Sequence, residues 1–220
     1  MIELYHCTDT RSFRALWALE ELGVDYALRM LPFPPRVHAK EFLASNPLGT
    51  VPLLVDGGTT MTESSAIIHY LATRYGPSSL AVAVDEAGYG EYLNGLHYGE
   101  ATLTFPQTIV LRYSRFEPPE RRLAQAVADY GSWFGARLRL LEARLADHQF
   151  AAADRFTMAD ISIGYALKLA HLSGLAEFLP QPVAEYWARL EPRDGYRRAM
   201  TAQAREAEEQ HGAASKDVGA

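Results

Sequence analysis

Every convincing strand pattern in this chain lies within its first 61 residues, and none follows residue 85. That asymmetry constrains the fold more than any single residue. Short apolar runs at 2–5 (IELY), 26–31 (YALRML) and 53–55 (LLV) read as strands. Asp56-Gly57-Gly58 is a hairpin turn, and Thr59–Met61 is its return strand. Between the strands the period changes. Phe13, Leu16, Leu19 and Leu22 form one helical stripe, closed by Gly23. PFPPRV reads as a loop, and HAKEFLASN as a short helix at most. Glu63-Ser64-Ser65 opens a further helix with Ile67, Ile68, Leu71 and Tyr75 on one face, stopped by Gly76-Pro77. Residues 1–77 therefore predict a β-α-β-α-β-β-α unit.

Residues 78–85 predict a linker, and residues 86–204 an all-helical unit. The helical pattern over 86–113 contains Pro106, which should bend it. Pro118 and Pro119 suit a first helical turn. Leu123, Val127, Tyr130, Phe134, Leu138, Leu141 and Leu145 then recur at steps of four and three, the clearest helix in the chain. Thr157 and Asp160 have the spacing of an acidic capping box, with Phe156 and Ile161 as its hydrophobic staple. Further helices are expected over 183–190 and 192–204. The tail at 205–220 has little to bury and should fray.

Composition removes several function classes. The chain has 220 residues, 48% hydrophobic and 22% charged, with a net charge of −6. No Lys/Arg-rich run is present, so nucleic acid and anionic membranes are not expected partners. A single cysteine, Cys7, excludes an internal disulfide framework and any Cys-x-x-Cys redox or zinc motif. No metal is expected. MIELYHCTDTR lacks the apolar core of a signal peptide, and no 18-residue apolar run exists. The expected compartment is the cytoplasm.

Proline has no N–H for a sheet ladder, yet Pro52 stands at the mouth of the apolar strand in GTVPLL. By itself this fits an ordinary edge-strand proline. Four segments together say more: NPLGTVPLL, MTESSAIIHYL, FTMADISI and WARLEPRDGYRRA. In this order, across roughly residues 1–200, they resemble the cytosolic glutathione transferase family. The resemblance implies a thioredoxin-like N-terminal domain, an all-helical C-terminal domain and a homodimer. It also implies a cis bond between Val51 and Pro52, with the Val51 backbone paired to the cysteinyl backbone of glutathione as an added strand would be. Ser64 would hold the γ-glutamyl carboxylate at a helix N-terminus, and Glu63 would lie near the ammonium. His38 and Lys40 fall where some relatives contact the glycyl end.

A free thiol has a pKa of ~8.5, so about 3% is thiolate at pH 7. Lowering that pKa by ~2 units takes about 2.7 kcal/mol. A helix N-terminus with one or two hydroxyl donors is able to supply it. In the register of serine-type relatives the donor position falls on Thr10; in that of cysteine-type relatives it falls on Arg11, with Ser12 next. Tyrosine-type relatives register it near Cys7 or Thr8. Thr10 is the first candidate and Ser12 the second, with a plain helix N-cap as the structural alternative. The second-substrate pocket implied by the resemblance draws on Thr102, Phe105, Arg112, Tyr113, Tyr165 and Lys168. The expected function is a transferase that activates glutathione toward a small hydrophobic electrophile. A glutathione-dependent isomerase or lyase, or a glutathione-binding protein without catalysis, is the alternative.

Overall fold

The computed structural model describes the backbone of residues 1–217 and the side chains of residues 1–209. Its contacts divide the chain into two units, residues 1–78 with 192–220, and residues 79–191.

In the first unit β1 (Ile2–His6) is the central strand. It pairs in parallel with β2 (Tyr26–Met30), in register Ile2 to Tyr26, and antiparallel with β3 (Leu53–Asp56), in register Ile2 to Asp56. A hairpin through Gly57 returns as β4 (Thr59–Met61), giving the order β2-β1-β3-β4. The parallel pair needs a crossover, and α1 (Phe13–Leu22) supplies it. Gly23 ends α1 in the left-handed conformation, as the sequence predicts. PFPPRV is not all loop: α2 (Pro35–His38) forms inside it, with Pro35 at the first helical position, and a 3₁₀ turn follows over Lys40–Ala44. The Val51–Pro52 bond is cis, immediately before β3. α3 (Ser64–Arg74) then packs beside α1, burying Ile67, Ile68 and Leu71. Tyr70 and Tyr75 both donate to Asp56 Oδ2, at 2.8 and 2.7 Å, and fasten α3 to β3. Chiefly through Tyr75, these bonds hold the Asp56 carboxyl below its usual range.

The second unit contains α4 (Tyr89–His97), α5 (Phe105–Leu111), α6 (Ala124–Arg137), α7 (Arg139–Leu145), α8 (Met158–Ser173) and α9 (Gln181–Leu190). Between α4 and α5 the chain widens into a π-helical stretch, Tyr98–Thr104. Pro106 lacks the N–H that the Thr102 carbonyl would receive in a regular α-helix, and the wider turns absorb the loss. The helix expected from the Leu123–Leu145 stripe is broken in two. A 3₁₀ turn holds Pro119–Arg121, Leu123 is the exposed N-cap of α6, and Leu138 separates α6 from α7. Phe134, Leu138 and Leu141 are the buried part of its stripe.

α8 is the core helix of this unit, buried from Met158 through Ala170. Its capping box is present: Thr157 Oγ1 accepts from Ala159 N, and Asp160 Oδ2 accepts from Thr157 N at 2.8 Å. The other carboxylate oxygen accepts from Ala151 N and the Tyr186 hydroxyl, at 2.9 and 2.6 Å.

The domain boundary is corrected at its C-terminal end. The helix expected from 192 is α10 (Asp194–Asp217), and it belongs to the first unit rather than the helical one. Tyr196 packs edge-on against Phe13 and Trp17, with ring centroids 5.6 and 5.0 Å apart. Arg193 makes a two-pronged ion pair with Glu21 of α1. Gly195 permits the approach, since a Cβ there would lie 2.5 Å from the Glu21 side chain. The segment expected to fray from 205 is helical through Asp217; residues 218–220 lie outside the described residues. Among the described residues, no helix is long and apolar enough to cross a membrane.

Candidate active site

Two places in the first unit gather polar groups without a core's need for them. One is the N-terminus of α3. Glu63 is the extended, exposed N-cap, and its side chain makes no cap bond. The first intrahelical bond runs from Ile67 N to the Glu63 carbonyl, so the N–H groups of residues 64–66 precede the ladder. Ser64 is buried, and its Oγ accepts from Arg14 Nη1 at 3.2 Å. A guanidinium only donates, so Arg14 occupies a lone pair of Ser64 and leaves the serine hydrogen for another acceptor. Arg14 itself is fully buried, which brings a positive charge to the positive end of α3. Ser65 is 6% exposed, and its hydroxyl is the one buried side-chain N or O among the described residues without a partner. Together these groups suit a carboxylate.

The second place is the turn between β1 and α1. Thr10 is half-buried, and its Oγ1 donates to the Cys7 carbonyl at 2.9 Å. It also lies 2.9 Å from Ser12 Oγ. Ser12 is fully buried, 2.6 Å from His6 Nδ1, and receives the Cys7 N–H at 3.4 Å. Of the two expected hydroxyls, Thr10 is thus the one open to solvent, and Ser12 the one committed inward. His6 Nε2 meets Gln203 Oε1 at 3.2 Å, so α10 reaches this turn as well. Asp9 adopts a positive φ of 58° and holds the Gln203 amide from both sides. Cys7 is buried, with burial pushing its thiol up to about 12, and is uncharged at neutral pH.

The other expected residues are spread more widely. Val51 and Pro52 are buried and precede the ladder of β3, whose first pair joins Leu53 to Tyr5. His38 and Lys40 are exposed at the α2 turn. In the helical unit a cavity of about 370 Å³ is lined by Thr102 with Asn94, His97, Arg137 and Leu140. Phe105, 46% exposed, stacks edge-on with Tyr130 and with Trp133, itself 39% exposed. Arg112 is paired with Glu117 at 2.9 Å and lies over the Tyr113 ring. Tyr165 and Lys168, 2% and 5% exposed, are core positions of α8. Of the six expected pocket residues, Thr102 lines this cavity.

Sequence reading missed His6, Arg14 and Gln203. Arg14 carried a signal, being the one charge in the otherwise apolar run from Phe13 to Leu19. His6 carried one too, as a polar residue at an inward position of an alternating strand. Gln203 carried one only in the spacing Tyr196, Ala199, Gln203, a buried face with a polar member.

A four-stranded mixed sheet flanked by helices, a cis proline before its third strand and a second, all-helical unit define the architecture of a thioredoxin-like domain joined to a helical one. A profile described as glutathione S-transferase, N-terminal domain matches residues 4–79. The chain is 33% identical over 187 residues to glutathione S-transferase 4 of Zea mays, covering 82% of each chain. It is 30% identical over 177 residues to glutathione S-transferase GstB of Escherichia coli K12, covering 79% of this chain and 84% of that one. The solved structure of a glutathione S-transferase from Xylella fastidiosa shares the fold with a TM-score of 0.81 at 19% identity, over 93% of this chain and 99% of that chain. The chain belongs to the glutathione S-transferase family.

Proposed function

We propose that this protein binds glutathione in its first unit and holds the thiol as thiolate for attack on a small hydrophobic electrophile. The observation that carries this reading is the Arg14–Ser64 bond, which frees the Ser64 hydrogen at a helix N-terminus. The γ-glutamyl carboxylate would take that hydrogen and the N–H groups of residues 64–66. Glu63, exposed beside them, would face the ammonium. The cysteinyl backbone would pair with Val51, and His38 would lie toward the glycyl end.

In this reading the sulfur sits at the β1–α1 turn, where Thr10 presents the exposed hydroxyl. The thiolate then forms a bond to an electrophilic carbon. In a substitution, the departing group leaves with the bonding pair. In an addition, the neighbouring carbon takes up a proton. The test is the ultraviolet absorbance of bound glutathione against pH, read beside turnover of an activated aryl halide. Thiolate at pH 7 with turnover is the expected result. Binding with a fully protonated thiol would leave a glutathione-binding protein and end the transferase reading.

We also propose a two-fold homodimer. Exposed Phe105, Trp133 and Leu140 on α5, α6 and α7 give the helical unit more apolar surface than a monomer needs. A sedimentation mass twice the 24.4 kDa of one chain is expected at micromolar protein; a mass of one chain would refute it.

A further inference from the structure

The β1–α1 turn contains more hydrogen-bond contacts than it has hydrogens. The Gln203 amide can be oriented without ambiguity. The Asp9 N–H only donates, so the atom it meets at 3.2 Å is Oε1. The Asp9 carboxylate only accepts, so the atom it meets at 2.9 Å is Nε2. His6 Nε2 therefore faces an acceptor and must carry a hydrogen. A neutral His6 is then bare at Nδ1.

Three contacts lie in series beyond Nδ1: His6 Nδ1 to Ser12 Oγ at 2.6 Å, Ser12 Oγ to Thr10 Oγ1 at 2.9 Å, and Thr10 Oγ1 to the Cys7 carbonyl at 2.9 Å. With His6 neutral, only the two hydroxyl hydrogens are available for them. An imidazolium supplies the third. Nδ1–H then donates to Ser12, Ser12 to Thr10, and Thr10 to the carbonyl or outward. Ser12 accepts twice, from Nδ1 and from the Cys7 N–H, and both its lone pairs are used. The network as built has room for one more proton, and its half-buried end is Thr10.

We propose that His6 is the base that receives the glutathione thiol proton, through Thr10 and Ser12, and that Gln203 of α10 positions it. The proposal rests on the reading of the site given above, with the sulfur at Thr10. In the step the S–H bond breaks and its proton goes to Thr10 Oγ1. The Thr10 hydrogen passes to Ser12 Oγ, and the Ser12 hydrogen passes to Nδ1, where the new N–H bond forms. The products are a thiolate facing the Thr10 O–H and an imidazolium on His6, so net charge is unchanged. No oxidant or further reactant enters.

A buried imidazolium needs compensation. The Asp9 carboxylate lies one amide away through Gln203, and Gln203 Oε1 accepts the Nε2 hydrogen. On the same turn Cys7 is neutral. Of the charged groups nearby, Arg11 lies on the turn itself between Thr10 and Ser12, Arg14 of α1 donates to Ser64, Arg29 of β2 pairs with Glu3, and Arg205 of α10 pairs with Glu206.

The test uses the full chain with ¹⁵N-labelled histidine, read by imidazole nitrogen shifts and thiolate absorbance together. Without ligand at pH 7, His6 should show the neutral, Nε2-protonated pattern. Saturating glutathione should convert it to imidazolium in step with the appearance of thiolate. S-methylglutathione, which has no thiol proton, should bind and leave His6 neutral. Gln203→Met is close in size but lacks the acceptor. It should lower the bound thiolate fraction about tenfold at pH values below the thiol's pKa, with glutathione affinity retained. Thiolate formation with His6 remaining neutral would overturn the relay while leaving the transferase reading intact. Bound glutathione without thiolate, or no binding, would overturn both. Conversion of His6 by S-methylglutathione would show a change of environment instead of proton transfer, and would also overturn the relay.

Discussion

At the residue scale, the α3 N-terminus depends on which partner each group can have. Arg14 can only donate, so Ser64 is left as a donor, and the hydroxyl can reward an anion rather than compete with it. Ser64→Ala removes one hydrogen bond to a charged group, worth about 1.5–3 kcal/mol. Glutathione affinity should fall about 10- to 100-fold by calorimetry, and the unfolding midpoint should fall as well, because buried Arg14 loses an acceptor. Unchanged affinity would place the γ-glutamyl carboxylate elsewhere. Glu63-Ser64 and Val51-Pro52 are legible because each carries a backbone requirement: a helix start, or a strand mouth without an N–H. Arg14 and His6 carry no such requirement, and sequence shows that a polar residue is present but not what it faces. Ser12 illustrates the same limit. Its place near a helix start is readable, but its full burial against His6 is decided by residues as distant as Gln203.

At the element scale, helix starts are more legible than helix continuity. The Thr157-x-x-Asp160 box forms as its spacing requires, because both bonds are local. The long stripe from Leu123 to Leu145 breaks at Leu138, because periodicity alone does not register a local turn in an otherwise helical path. Asp160 does more than cap: its second oxygen, Oδ1, accepts from both the Ala151 N–H and the Tyr186 hydroxyl. Burial raises its carboxyl, and the hydrogen bonds from Ala151, Tyr186 and Thr157 pull the other way. Thr157→Ala should therefore cost about 0.5–2 kcal/mol in denaturant unfolding, the usual value of a cap. Asp160→Asn should cost more, at least about 2 kcal/mol, because an amide N–H₂ would replace an acceptor that faces donors. Turnover per folded molecule should be unchanged in the Thr157 variant. A loss of turnover at full stability would assign Thr157 a chemical role.

At the scale of the whole molecule, the sequence divides the chain by where strands stop, and the structure divides it by which faces meet. By its contacts the chain divides after residue 78 and again before residue 192. An apolar helix face does not name its partner, so α10 reads as one more helix of a helical unit. Its contacts instead go to α1: Tyr196 to Phe13 and Trp17, Arg193 to Glu21, with Gly195 allowing the approach. The α/β unit is thus completed by α10, and Gln203 reaches the β1–α1 turn from there. Tyr196→Ala removes a buried ring from this seam and should cost about 3–5 kcal/mol, as large aromatic truncations do. The location of the damage is the sharper measurement. Hydrogen exchange should quicken in α1 and β2, the elements α10 covers, while α6 and α8 keep their protection. Faster exchange confined to residues 79–191 would assign α10 to the helical unit and remove the physical route by which Gln203 reaches His6.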